Sequence, residues 1–193
     1  MKIAETLYVT KRKDWRKWLA KNHKSQKEIW LIFYRKETGK PRIPYDHAVL
    51  EALAYGWIDS TAKKVDNECF AQRFTPRRPT SVLSQMNKER IRELITEKKM
   101  TKYGLKAIAH VFNPKTDKVD KFVIPEGILS ALKENKDAWK NFQKTSPAYQ
   151  RIRVMYIERR KRQSIGEYKK SLAYFIKMMA QNKRVGFVKE RHS

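Results

Sequence analysis

Hydrophobic residues in the first part of the chain occur in short, dense runs that predict strands. Residues 5–9 (ETLYV) and 28–34 (EIWLIFY) predict two strands, and the second is so apolar that we expect it to be buried on both faces. Residues 57–65 and 68–75 flank a polar Asp-Asn pair, which predicts a β-hairpin. We therefore expect a small antiparallel or mixed sheet of about four strands.

Between and after these runs, apolar residues recur with the helical period of about 3.6 residues. Thr10 predicts the start of a first helix, and residues 46–56 (DHAVLEALAYG) predict a second helix that ends just before Gly56. The remaining helix starts are predicted near Ser84, Thr101, Pro125, Ser146 and Ser164. The fold class is therefore α+β, with helices packed on the sheet and a C-terminal helical lobe.

These patterns divide the chain into four segments. We predict an α+β lobe at residues 1–112, a linker at 113–124, a helical lobe at 125–182 and a basic tail at 183–193. The linker prediction depends on an Asn-Pro step and mixed charge in NPKTDKVDKFVI, which interrupt the helical pattern.

The charge of the chain is far from balanced. Lys and Arg number 45 against 20 Asp and Glu, a net charge of +25, and residues 1–124 and 125–193 carry +14 and +11 of it. Such a surface attracts polyanions, and nucleic acid is the partner that we favour. The alternative is that the lysines serve solubility alone.

Several classes of site find no support in the sequence. Cys69 is the only cysteine, so no disulfide can form within the chain, and the four histidines show no metal-ligand spacing. We find no phosphate-binding loop, dinucleotide fingerprint or nucleophile elbow, so we predict neither a metal nor a cofactor. No export signal and no transmembrane run is apparent, and we expect a cytoplasmic protein. The oligomeric state stays open.

The stretch RFTPRRP at residues 73–79 is the first candidate for anion binding. Pro76 and Pro79 stiffen the backbone, so that arginines beside them lose little freedom when they bind a carboxylate or phosphate. The candidate anion clamp consists of Arg73, Arg77 and Arg78. The alternative is that these arginines pair with the chain's own acids, Asp59 or Glu51.

The register of the hairpin separates these interpretations. A two-residue turn places Ser60 opposite Arg73, whereas a three-residue turn places Asp59 opposite Arg73 and makes a direct ion pair. Trp57 shares a strand face with Asp59. If that face lines a cleft, an aromatic ring beside an acid and arginines would suit a flat anionic ligand such as a nucleotide. Otherwise Trp57 is a core residue.

A second cationic cluster ends a predicted helix at IERRKRQ. It forms a candidate nucleic-acid patch of Arg151, Arg159, Arg160, Lys161 and Arg162. The alternative is that the helix dipole, which favours cations at a C-terminus, explains the cluster.

The run at residues 51–105, with GWID at 56–59 and RFTPRRP at 73–79, resembles the bacteriocin-protection, YdeI or OmpD-associated (OmdA-like) proteins. Residues 124–162 resemble the helical end of the same family. Two departures are visible, because Ser60 stands where glycine is usual and Leu83 where tryptophan is usual. The resemblance implies a link to stress and bacteriocin tolerance, without a reaction, a cofactor or catalytic residues.

Together these observations predict a non-enzymatic, cytoplasmic protein whose basic surface binds an anionic partner, with nucleic acid favoured. The alternative is a small enzyme or a metabolite or nucleotide sensor with a pocket around Trp57, Asp59, Arg73 and Arg77.

Overall fold

A computed structural model describes residues 2–117 and 122–186. The chain divides into two compact units, Met1–Asp117 and Lys118–Ser193. The first unit contains a four-stranded mixed sheet with helices, and the described part of the second is helical. The predicted α+β class with C-terminal helices is therefore confirmed.

The sheet of the first unit has the strand order β1-β2-β4-β3. The strands are β1 (Thr6–Leu7), β2 (Ile29–Tyr34), β3 (Trp57–Lys64) and β4 (Cys69–Pro76). β1 runs parallel to β2, whereas β4 is antiparallel to both of its neighbours. β4 ends at Pro76, which has no N–H to donate to a further ladder bond.

The helices of the first unit are α1 (Arg12–Asn22), α2 (Tyr45–Ala54), α3 (Gln85–Thr96) and α4 (Lys102–Ile108), with a 3-10 turn at Lys36–Thr38. The Ser84 and Thr101 hydroxyls cap α3 and α4, as the sequence predicts, by accepting hydrogen bonds from Asn87 N and Gly104 N. Gly56 follows α2 with φ +77°, in the left-handed region expected after a helix end. The predicted Thr10 cap is wrong, since Lys11 is the N-cap and makes no side-chain hydrogen bond.

The β3–β4 hairpin keeps the predicted register with Ser60 opposite Arg73 in the half remote from its turn, and departs from both predicted registers only near the turn. Its loop spans residues 65–68, and the Asp66 carboxylate accepts hydrogen bonds from Glu68 N at 2.7 Å and Cys69 N at 2.8 Å. These bonds lower the pKa of Asp66. Ala62 pairs with Gln72 and Asp59 with Phe74, so Ser60 and Thr61 together lie opposite Arg73 in a β-bulge. At the bulge, the pairing of β3 with β4 shifts by one residue. Asp59 does not face Arg73.

One face of the sheet packs against α1 and α2. The largest buried side chains of this core are Trp15, Trp57, Phe33 and Phe74. The indole N–H of Trp15 donates to Ala48 O at 3.0 Å, so this buried polar group is satisfied.

A buried carboxylate joins α1 to α2. The Glu51 side chain is only 2% exposed, and it accepts hydrogen bonds from Arg12 Nε and, at 2.6 Å, from Arg16 Nη1. Removing a charge from water is costly unless it is paired, so these two arginines are what allow a carboxylate at this depth.

The second unit packs four described helices around an apolar core. They are α5 (Glu126–Glu134), α6 (Lys136–Gln143), α7 (Pro147–Arg160) and α8 (Ile165–Ala180). Phe142 and Phe175 meet edge to face at 6.0 Å, and Met179 is fully buried. Ile165, the first residue of α8, is 59% exposed, because the side chain of a first helical residue leans beyond the helix end.

The close approach of α4 to the end of α2 requires a glycine. A Cβ at Gly104 would lie 2.7 Å from Met100 Cε and 2.8 Å from the Ala54 carbonyl carbon. We expect Gly104→Ala to lower the free energy of unfolding by about 1–3 kcal/mol, because the backbone must shift. Urea unfolding measures this. Gly166→Ala is the matched control, since its Cβ would meet nothing closer than Ser164 Oγ at 3.7 Å; equal losses in both variants would contradict the packing argument.

The Glu28–Arg73 ion pair beside β2 and β4 makes stability depend on pH. The pKa of Glu28 lies below its ordinary 4.5, chiefly through its hydrogen bond from Arg73 and then that from Trp30. This contribution is present above the unfolded pKa and is lost as pH falls through the lowered folded pKa. We therefore expect Glu28→Gln to lose less stability than the parent between about pH 5 and pH 3. Urea midpoints across that range test this, with exposed Glu37→Gln as control; parallel curves for Glu28→Gln and parent would disprove the linkage.

Candidate anion-binding sites

The RFTPRRP stretch forms the last residues of β4 and the beginning of the loop that follows the strand. Pro76 closes the strand, and Arg77 N donates to Gly56 O at 2.8 Å, which anchors the chain just beyond the sheet. Farther on, Ser81 N donates to Arg78 O at 2.9 Å and turns the loop back. These hydrogen bonds fix the backbone around the three arginines of the predicted clamp. The side chains of these arginines, however, have different surroundings.

Arg73 is engaged by an acid of its own unit. Its Nε donates to Glu28 Oε2 at 2.9 Å, and its Nη2 contacts the same carboxylate oxygen. The partner is therefore neither Asp59 nor Glu51, the two acids considered from sequence. The Nε–Nη2 edge of the guanidinium, one of the two that can hold a carboxylate or phosphate, is therefore already occupied.

Trp57 and Asp59 are also engaged within the first unit. Trp57 is 1% exposed, and its indole N–H donates to His23 O at 3.2 Å, so the ring belongs to the core and offers no face to a ligand. Asp59 Oδ2 accepts a hydrogen bond from the Tyr45 hydroxyl. Burial, and then this bond to Asp59, raise the pKa of Tyr45.

Arg77 is buried but only partly satisfied. Arg77 is only 7% exposed. Its Nη1 donates to Val82 O at 3.2 Å and to Ser81 O at 3.4 Å. Its Nε and Nη2 are buried and have no hydrogen-bond partner in the part of the chain that the structure describes. Desolvation lowers the pKa of Arg77, and the charge of Asp59 partly offsets this. Arg78, the next residue, is exposed.

The second cluster lies at the end of α7, where a groove of about 410 Å³ opens. It is lined by Tyr156, Arg159, Arg160, Arg162 and Gln163. Among the residues that the structure describes, no carboxylate lines the groove. Three of the five cations predicted for a nucleic-acid patch therefore border one groove.

Within this α7 groove, Arg160 is held in place. Its Nη1 donates to Gln163 Oε1 at 2.6 Å, its Nη2 contacts the Tyr156 hydroxyl, and its guanidinium lies 4.8 Å from the centre of the Tyr156 ring. Its Nε is buried without a partner. Arg160 is thus a pre-oriented cation, which loses little freedom on binding an anion.

The other cations of the predicted patch differ in their surroundings. Arg159 and Arg162 are exposed, and neither pairs with an acid in the described ranges. Lys161 instead pairs with Glu158 at 2.7 Å, which raises the pKa of Lys161, and it lies 4.7 Å from the Tyr168 ring centre. Arg151 lies on α7, two turns before Arg159, and is outside the groove lining.

Sequence reasoning missed Tyr156 and Gln163. Both stand at helical or turn spacing from Arg160, four residues before it and three after, where side chains on one face meet. That spacing was visible in the sequence, but an exposed tyrosine and a glutamine carry no motif of their own. Tyr156 is 44% exposed, so part of its ring is accessible.

The described residues contain neither a candidate metal-binding cluster nor a candidate membrane-spanning helix. No group of three or more His, Cys, Asp or Glu side chains within residues 2–117 and 122–186 could hold a metal ion. No described helix is both long and apolar enough to cross a membrane.

Comparison with known families assigns both units. Residues 7–107, more than half of the chain, match the family described as Domain of unknown function (DUF8412). Residues 121–182 match the family described as Bacteriocin-protection, YdeI or OmpD-Associated. The resemblance inferred from sequence is confirmed by the second match, whereas the GWID and RFTPRRP motifs lie in the first. No curated protein and no solved structure gives a significant match. The chain therefore belongs to the DUF8412 family, and residues 121–182 in its second unit match the Bacteriocin-protection, YdeI or OmpD-Associated family model.

Proposed function

We propose that this protein is a non-enzymatic binder of anionic polymers, with nucleic acid as its main partner. The observation that carries the proposal is the α7 groove of about 410 Å³, which is lined by Arg159, Arg160 and Arg162 and, within residues 2–117 and 122–186, by no carboxylate. Phosphate oxygens are the natural ligands of such a site, because guanidinium groups bind them through paired hydrogen bonds.

The groove supplies both mobile and fixed cations. Arg160 is held by Tyr156 and Gln163, whereas Arg159 and Arg162 are exposed and can adjust to a phosphate backbone. The accessible part of Tyr156 adds a surface on which an unpaired base can pack. This combination favours a single strand over a small phosphorylated metabolite, which would leave one or more arginines unused.

The overall charge supports the same partner. With a net charge of +25, the protein attracts polyanions over a long range and speeds their association. We place this binding in the cytoplasm, where nucleic acid is available. A role in bacteriocin tolerance is suggested by the family description, and a role in stress tolerance by the resemblance of the sequence alone.

Removing the two exposed groove arginines tests the proposal. We expect Arg159→Gln with Arg162→Gln to weaken binding of a labelled polythymidylate strand, measured by fluorescence anisotropy across a salt series. Loss of two phosphate contacts should lower the slope of log affinity against log salt by about 1.4.

Lys136→Gln with Lys140→Gln is the matched control. It removes the same charge from exposed positions of the same unit, on α6 and away from the groove lining. If both double variants reduce the slope equally, net charge and not the groove binds the strand. Absence of salt-dependent binding by the unmodified protein would refute the proposed function altogether.

A second candidate function, binding of a small anion in the first unit, is favoured by Arg77 alone. The Nε and Nη2 groups of Arg77 form the same edge that Arg73 uses to hold Glu28, yet in Arg77 this edge is buried without a partner. Leaving such donors unpaired is costly, and a carboxylate or phosphate would satisfy both. Of the predicted four-residue pocket only this edge of Arg77 remains, because Trp57, Asp59 and Arg73 bond to other groups of the first unit.

Thermal unfolding with inorganic phosphate at constant ionic strength tests the Arg77 site. We expect phosphate to raise the melting temperature of the parent and of exposed Arg78→Met, and to leave Arg77→Met unchanged. Without phosphate, Arg77→Met should melt no lower than the parent, because it removes a half-satisfied buried charge. Arg77→Lys, which keeps the charge and loses the paired edge, should also lose the phosphate effect. An undiminished shift in Arg77→Met would rule this site out.

A further inference from the structure

A face of α1 consists of lysines. Lys13, Lys17 and Lys21 recur every four residues, and Lys24 follows just beyond the helix end on the same side. All four are exposed. Asp14 is the only acid in the helix, and none of these lysines makes an ion pair with an acid in the described ranges. The α1 lysine face therefore carries charge that the first unit does not neutralise.

Partly exposed aromatic rings border the end of this face. The His23 ring centre lies 4.4 Å from that of Tyr103 and 5.2 Å from that of Tyr55. Arg16 lies over Tyr55 at 5.4 Å, and its Nη2 donates to Lys99 O at 3.1 Å. These contacts place the end of α1 beside the start of α4 on one surface.

Two ammonium groups converge on the Tyr103 ring. Lys24 Nζ lies 4.8 Å and Lys102 Nζ 5.5 Å from its centre. The hydrogen bond with Lys24 and then the charges of both lysines lower the pKa of Tyr103, and no acid takes part. Lys106 is exposed one turn after Lys102 and extends the positive charge along α4. Like charges gathered around one phenol ring repel each other unless an anion joins them.

We propose that this α1–α4 surface, formed by the α1 lysine face, the His23, Tyr55 and Tyr103 rings, and Lys102 and Lys106, is a second binding surface for single-stranded nucleic acid. The inference rests on the proposed function, but it concerns the first unit and does not use the α7 groove. Lysines a helical turn apart contact successive phosphates, while Tyr103 and Tyr55 pack against unpaired bases.

The rings identify a single strand as the occupant. A duplex presents phosphates to the lysines but keeps its bases stacked inside, where the tyrosines cannot reach them. An anionic membrane would also attract the lysines, yet α1 shows no apolar exposed face to insert, since its Trp15 and Leu19 are buried in the core.

Three variants of the full-length protein test the surface. The first is Lys17→Gln with Lys21→Gln and Lys24→Gln, and the second is Tyr103→Leu. The control is Lys36→Gln with Lys63→Gln and Lys115→Gln, which removes the same charge from other positions of the first unit. Anisotropy is measured with a labelled polythymidylate strand and with a labelled duplex, across a salt series.

We expect the Lys17, Lys21 and Lys24 variant to lower the salt slope for the single strand by about 2, and the control to leave it nearly unchanged. Tyr103→Leu should weaken single-strand binding about fivefold or more through lost stacking, while duplex binding stays the same. A merely structural role of Tyr103 would weaken both alike.

The outcomes separate this inference from the proposed function. If the parent binds and the α7 groove variant weakens binding, but the lysine variant matches its control, the α1–α4 surface is overturned and the groove stands. If the lysine variant weakens binding and the groove variant does not, the reverse holds. If the parent binds phosphatidylglycerol vesicles and no nucleic acid, both are overturned in favour of a membrane.

Discussion

The scarcity of carboxylates is the constraint on which the arrangement of this protein depends. With 20 acids to 45 cations, one-to-one pairing leaves an excess of 25 positive groups. In the described part of the first unit, four acids with limited exposure pair with arginine, in the pairs Arg12 and Arg16 with Glu51, Arg73 with Glu28, Arg90 with Asp46 and Arg92 with Asp117. Arginine suits these sites because its planar fork makes several hydrogen bonds and is weakly hydrated.

The surplus cations are consequently left on the surface, and they differ in kind between the units. At the α7 groove, arginines surround a concave site and one of them is fixed by Tyr156 and Gln163. On α1, flexible lysines line a convex helix face beside partly exposed rings. A concave arginine site favours directed contacts to phosphate, whereas a lysine face contributes mainly long-range attraction. In the proposed binding of nucleic acid, the arginine groove would supply the directed contacts and the lysine face the long-range attraction.

Much of the fold was predictable because it depends on local pattern. Dense apolar runs and the helical period indicated the sheet and the two helical regions, and Ser84, Ser146 and Ser164 marked helix starts that the structure shows as side-chain caps. The hairpin was predicted, and one of its two predicted registers holds from Trp57 to Asp59, but the bulge at Ser60 and Thr61 was missed because it leaves no signal in residue type. The same limit applies to Trp57, whose burial depends on α1 packing over the sheet.

The sequence by itself determined the charge excess, the periodicity of the elements and the stiff backbone around Pro76 and Pro79, since these are properties of composition and of neighbouring residues. Only the tertiary structure decided which arginines are available. Arg73 pairs with Glu28, which is 45 residues away in the chain. Arg77 is buried, and one edge of its guanidinium has no partner among the described residues. Arg159 and Arg162 remain at the surface. The physical reason is that an ion pair depends on distances between side chains, and packing between remote segments sets those distances.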